Sequence, residues 1–186
     1  MLFRSNYDLE QGPLSQARIE FWKRMAAQFG GPVLDLCCGT GLVAIPVAAM
    51  GLSVTGVDLS APMLAHAQAK AERDDIDVRW IQSDVRDLAL PRRFGFVILA
   101  GNAFQAFLER GDQDALLAAA RRHLAPEGVF AFDIDQRPGH DLSDDVEHLL
   151  DVAGFEIVAQ YGDWDFSRFR PASERLITLC RLEAGA

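Results

Sequence analysis

Nine residues constrain this chain more than any others: Val33-Leu34-Asp35-Leu36-Cys37-Cys38-Gly39-Thr40-Gly41. A short apolar run closes on an acid, two thiols and a glycine-rich turn. An amphipathic segment, Leu42 to Met50, follows at once. That order predicts a buried strand, a tight turn and a helix start. Glycines in such a turn let the backbone approach a ligand closely, because no Cβ obstructs it.

The rest of the chain repeats this alternation. Leu14 to Phe29 keeps helical spacing and stops at Gly30-Gly31-Pro32. Strands are expected at Pro32–Cys38, Ser53–Asp58, Val78–Ser83, Phe94–Ala100, Val129–Asp133, Phe155–Tyr161 and Leu176–Leu182. Helices are expected from Ser60, a candidate N-cap with Pro62 just inside, to Arg73, and over Asp112–Leu124 and Asp144–Ala153. Strands alternating with helices predict an α/β fold: a doubly wound, mostly parallel seven-stranded sheet with helices on both faces. No helix separates the last two strands, so the final strand should run antiparallel. A single domain over 1–186 is expected. It would comprise an N-terminal cap and helix (1–31), a ligand-binding half (32–135) and a C-terminal helix with an antiparallel strand pair (136–186).

Composition narrows the functional classes. The net charge is −9 and no basic block occurs, which argues against nucleic acid as a partner. Three cysteines, two of them adjacent, suit small buried residues better than a disulfide framework. No CxxC or HExxH spacing is present, so no metal site is expected. No apolar run approaches membrane length, and the first residues do not read as a secretory signal; a cytoplasmic protein without a membrane partner is the expectation.

Ligands of open α/β sheets bind beyond the carboxyl ends of the strands. The expected ends are Asp35 to Gly41, Asp58, Asp84, Ala100 to Asn102, and Asp133 to Asp135. Three consecutive strands thus end in an acid. Any one could be a turn residue or helix cap; three in register are harder to assign that way. Asp58 follows Gly41 by 17 positions, a separation suited to a carboxylate that accepts from ribose hydroxyls. Gly39-x-Gly41-x-x-Ala44 also satisfies a dinucleotide pattern, so a nicotinamide-dependent oxidoreductase stays open at this point.

The motifs together resemble those of the class I S-adenosylmethionine-dependent methyltransferases. Val33 to Gly41 resembles their first motif, with Cys37 where glycine is commoner. Val54-Thr-Gly-Val-Asp-Leu-Ser60 with Met63-Leu64 resembles the second, Gln82-Ser-Asp-Val-Arg-Asp87 the third, and Leu117 to Phe132 the segment entering strand five. The resemblance implies S-adenosylmethionine as cofactor. It implies that Gly39 and Gly41, with Cys37 between strand and turn, pass the methionine part, and that Asp35 holds its ammonium. Asp58 would take the ribose hydroxyls, Leu59 and Met63 would sandwich adenine, and Asp84 and Val85 would bond its edge. Ala100 and Gly101 would line the methionine side, and Tyr7 and Trp22 could cover the mouth.

Methyl transfer to an oxygen or nitrogen by direct in-line displacement is the implied reaction. Asn102, Gln105 and His140 are the candidate catalytic residues, with Phe104 nearby; His66, His123 and His148 read as structural or exposed. Gly101-Asn-Ala-Phe104 is not the Asn/Asp-Pro-Pro-Tyr motif of nucleobase or glutamine amino-group enzymes, which points to a small-molecule acceptor. The connection from Ile134 to Ser143 is shorter than the substrate roof of many small-molecule relatives. An open site covered by another subunit of a homo-oligomer or by a large partner, a non-catalytic cofactor binder, and a chain lacking a segment all accord with that. Gly162 to Arg170 reads as a surface hairpin with Trp164 packed down.

Overall fold

The computed structural model describes residues 13–136 and 141–183. Helix α1 (Pro13–Phe29) leads into β1 (Val33–Leu36), α2 (Ala44–Ala48), β2 (Val54–Asp58), α3 (Ala61–Arg73) and β3 (Arg79–Gln82). β4 (Phe94–Leu99), α4 (Arg110–His123), β5 (Leu124–Asp135), α5 (Ser143–Val152), β6 (Phe155–Tyr161) and β7 (Arg175–Leu182) complete it. The seven strands form one sheet in the order β3-β2-β1-β4-β5-β7-β6. β1 to β5 are parallel, and β7 lies antiparallel between β5 and β6. The strand order reverses between β1 and β4, which opens a crevice at their carboxyl ends.

Side-chain alternation along each strand divides the core into two layers. Leu34, Leu36, Val97, Leu99, Phe130 and Phe132 face α4 and α5. Val33, Phe96, Ile98, Val129 and Ala131 face α1 and α2. The same alternation turns Asp35 and Asp133 toward the α1 layer. Both are buried, at 2% and 1% exposure.

Several boundaries differ from expectation. The helix after the glycine turn holds only Ala44–Ala48, because residues up to Val43 are spent in the turn. β5 is longer at both ends than Val129–Asp133. Leu124 pairs with Phe94 before a bulge, and Asp135 pairs with Arg175 of β7. Short 3-10 turns at Val85–Asp87 and Ala103–Ala106 have no counterpart in the periodicity, being too short to carry one. Ser60 occupies the N-cap, yet its side chain makes no capping bond; its amide donates to Asp58 instead, at 2.8 Å.

The β6–β7 connection is a hairpin packed onto α1. Tyr161 bridges Arg168, and Trp164 is 6% exposed. Trp164 meets Phe21 edge-on at 5.5 Å, and Phe166 stacks on Phe21 at 4.6 Å. The Arg175 guanidinium covers the other side of Trp164, 4.7 Å from the ring centre. These contacts seat α1 on the sheet.

Candidate functional site

The turn after β1 is held by the acid that ends β2. Asp58 Oδ2 accepts from the Gly39 amide at 2.8 Å, while Oδ1 takes the Ser60 amide. One carboxylate therefore ties the glycine turn to the start of α3. Three residues of the turn adopt left-handed backbone: Cys37 at φ 55°, Gly39 at 55° and Gly41 at 76°. For Cys37 that geometry costs about 1–2 kcal/mol, which is the physical reason glycine suits the position. Gly41 has a second constraint. A Cβ there would lie 2.8 Å from the Trp80 ring, which also fills the space above Gly56.

Asp35 forms the floor of a cleft whose walls include Arg18, Cys37, Cys38, Ala100 and Gly101. Its Oδ2 is buried with no hydrogen-bond partner among the described residues. Burial pushes this carboxyl up to about 8, against the pull of a bond from the Ala44 amide and with a further push from the Asp58 charge. Cys37 is likewise raised, to about 12, by burial first and then by the charges of Asp58, Asp35 and Asp84. The first three strands thus bring their acids around one loop. Arg18, from α1, carries a second orphan: its Nε is buried without a partner among the described residues. A carboxylate oxygen and a guanidinium N–H, both unsatisfied, line the same cleft, which suits a zwitterionic amino-acid group.

Across the switch point, Asp133 organises the loop after β4. It accepts from the Gly101 amide at 2.8 Å and the Asn102 amide at 3.1 Å. Burial raises its carboxyl to about 6, opposed by those two bonds and by the charges of Arg18 and Arg175. Asn102 is left-handed, at φ 59°, and its side-chain amide donates to Asp135. Gln105 donates to the Asp135 carbonyl at 3.0 Å. Both carboxamides thus brace the end of β5.

Leu59 is 64% exposed, and the Met63 methyl reaches over Gly39, 3.4 Å from where a Cβ would stand. An exposed leucine beside a pliable thioether offers two apolar surfaces for a flat ring. Asp84 follows β3 with its carboxylate on Arg86, and Val85 is buried. Trp22 is fully buried against Phe21 and Trp164, so it belongs to the core and not to the cleft mouth. Tyr7 and His140 lie outside the described residues, as do 137–140 of the connection after β5. His66 is exposed. His123 is buried, with Nε2 accepting from the Leu90 amide and Nδ1 on the Ala119 carbonyl. Arg18 and Asp133 are two further residues of this site. Asp133 shares the end-of-strand signal; Arg18 has none, since it looks like any polar helix residue.

A family model described as a methyltransferase domain matches residues 33–128, about half of the chain. The chain belongs to the class I S-adenosylmethionine-dependent methyltransferases. This methyltransferase-family chain is 36% identical over 142 residues to the cypemycin N-terminal methyltransferase of a Streptomyces species, covering 73% of this chain and 57% of that protein. The CcbJ methyltransferase structure from Streptomyces caelestis superposes with a TM-score of 0.86 at 23% identity, over 97% of this chain and 96% of that one. The glycopeptide N-methyltransferase MtfA complexed with S-adenosyl-L-methionine gives 0.71 at 23% identity, over 91% and 93%. The chain spans about half the length of the curated relatives it matches, from 45% to 57%. S-adenosylmethionine is the cofactor of this family site, and the orphaned Asp35 oxygen fits its ammonium. Among the described residues no helix is long and apolar enough to cross a membrane.

Proposed function

We propose that this chain transfers a methyl group from S-adenosylmethionine to a nitrogen or oxygen of a small-molecule acceptor, with an amine nitrogen favoured. The observation that carries the reading is the pair of unsatisfied groups in one cleft, Asp35 Oδ2 and Arg18 Nε. They would hold the ammonium and carboxylate of the cofactor's methionine end. Asp58, already fixed by two amides, would accept the ribose hydroxyls through its remaining lone pairs. Leu59 and Met63 would enclose adenine. The cofactor supplies a methyl on a sulfonium sulfur, which is already activated toward a nucleophile. The protein then has to align the acceptor and let one proton leave.

The preference for nitrogen rests on the cypemycin enzyme, named as an N-terminal methyltransferase and 36% identical. A second reading, a cofactor binder without turnover, draws on Asn102 and Gln105, both engaged by Asp135 and not turned to an acceptor.

Two measurements test these readings. Titration with S-adenosylhomocysteine and with NAD should show micromolar affinity for the first only; NAD binding alone would refute the proposal. Turnover with a panel of amine, hydroxyl and thiol acceptors should show methylation of an amine. Cofactor binding with no product across the panel would favour the binder.

A further inference from the structure

Arg86 is bonded in a way that its exposure does not explain. Asp84 follows β3 and caps the short turn Val85–Asp87, its Oδ1 accepting from the Arg86 amide at 3.0 Å. The Arg86 side chain folds back onto the same carboxylate, Nε to Oδ1 at 3.0 Å and Nη2 to Oδ2 at 2.5 Å. Its remaining terminal nitrogen, Nη1, reaches Asp112 in the first turn of α4, at 2.6 Å. One guanidinium therefore joins residues 84 and 112, on two separate elements.

The three side chains are partly exposed, at 23%, 38% and 37% for Asp84, Arg86 and Asp112. Ion pairs at such exposure contribute little to stability. What this arrangement supplies is geometry. A bidentate guanidinium fixes the plane of a carboxylate, and the second aspartate fixes the guanidinium. Three of the four lone-pair positions of Asp84 are used by Arg86, two on Oδ1 and one on Oδ2. One remains, on Oδ2. The Ser83 amide donates to the Asp58 carbonyl at 3.1 Å and Gln82 Nε2 to the Leu59 carbonyl at 3.4 Å, so Asp84, the next residue, stands beside the end of β2.

We propose that Arg86, braced by Asp112, is a positioning residue that holds Asp84 as a fixed acceptor for one exocyclic N–H, and so sets selection of adenine over hypoxanthine. The inference rests on the cofactor reading above. An amino group at purine position 6 donates to a carboxylate. The oxygen of hypoxanthine at the same position cannot, and it meets the carboxylate charge. A site built to bond a donor rejects the analogue lacking it more strongly than an apolar pocket can. If Asp84 is left free to rotate, the remaining lone pair is no longer presented in one direction, and the distinction weakens.

The experiment compares S-adenosylhomocysteine with S-inosylhomocysteine by calorimetric titration of the full chain. The unmodified protein should prefer the adenine compound by about tenfold or more, the worth of one charged hydrogen bond. Arg86→Ala should reduce that preference to about threefold or less, chiefly by weakening the adenine compound. Arg86→Lys, which keeps one charged donor, should recover part of it. Asp112→Asn keeps both Asp84 and Arg86 and should lower the preference partway; it carries the test if Arg86→Ala does not fold by circular dichroism. An unchanged preference in folded Arg86→Ala, or in Asp112→Asn where only that variant folds, overturns the proposal: Arg86 then joins η1, the turn Val85–Asp87, to α4 and does nothing more. Failure of the unmodified protein to bind either compound refutes the cofactor reading itself, a distinct result from loss of discrimination.

Discussion

The Gly39 amide donates to Asp58 Oδ2 at 2.8 Å, across 19 residues of sequence. This bond ties the ligand turn of β1 to the acid of β2. Asp58→Ala should weaken S-adenosylhomocysteine binding at least tenfold, since charged hydrogen bonds contribute about 1.5–3 kcal/mol. Asp58→Asn should lose less, because the amide oxygen can still accept. Affinity within about threefold of the unmodified protein in Asp58→Ala would remove the ribose assignment.

Asp35 predicts a pH dependence. Burial pushes its carboxyl up to about 8, and an ammonium would bind its ionised form. Affinity for S-adenosylhomocysteine should therefore rise from pH 6 to pH 8, by up to about tenfold per unit for one released proton. Asp35→Asn should bind weakly with that slope removed. The sign for the ligand-free fold is opposite. A carboxyl whose folded value lies above 3.8 keeps its proton longer than in the unfolded chain. Asp35 thus lowers stability as pH rises from about 4 to about 8.

Cys37 reverses the usual order of glycine and alanine. At φ 55° an L side chain is strained and glycine is not. Cys37→Gly should be more stable than Cys37→Ala by about 1 kcal/mol in urea unfolding. The reverse order would show that the turn relaxes to another conformation.

His123 is a neutral strut between α4 and Leu90, with both ring nitrogens engaged. Burial holds it below the usual histidine range, opposed by the Ala119 bond and aided by the charges of Arg122 and Arg93. His123→Ala should cost about 2–4 kcal/mol near pH 7.5, from an unsatisfied amide and a cavity. The unfolded histidine gains a proton below about 6.5 while the folded one resists. The gap between the two proteins should therefore narrow as pH falls to 5; a constant gap would contradict the assignment.

Trp164 ties the β6–β7 hairpin to α1, the helix that carries Arg18. Trp164→Ala should destabilise the fold by about 3–5 kcal/mol. Cofactor affinity should fall with it at temperatures where the variant is still folded. Unchanged affinity would separate the hairpin from the site.

How much of this was legible along the chain depends on range. β6 coincides with the expected Phe155–Tyr161, and α1 begins one residue before the expected Leu14. Their apolar spacing is a local property. Asn102 and Gln105 read as catalytic candidates because they follow a strand. Their engagement by Asp135, more than 30 positions away for Asn102, has no local signature. Trp22 could sit at a cleft mouth or in a core by its spacing alone; packing against Trp164, far along the chain, decided for the core.

The nine residues from Val33 to Gly41 were enough to determine a strand and a ligand turn; the kind of cofactor came from their resemblance, together with Asp58 and Asp84, to the methyltransferase motifs. Period and spacing encode such features directly, because backbone geometry requires them within a few residues. Only the tertiary structure brought Arg18 to the cleft of Asp35, and Arg86 between Asp84 and Asp112. Those meetings depend on the strand order and on which face of the sheet each helix covers, and no single segment carries that information.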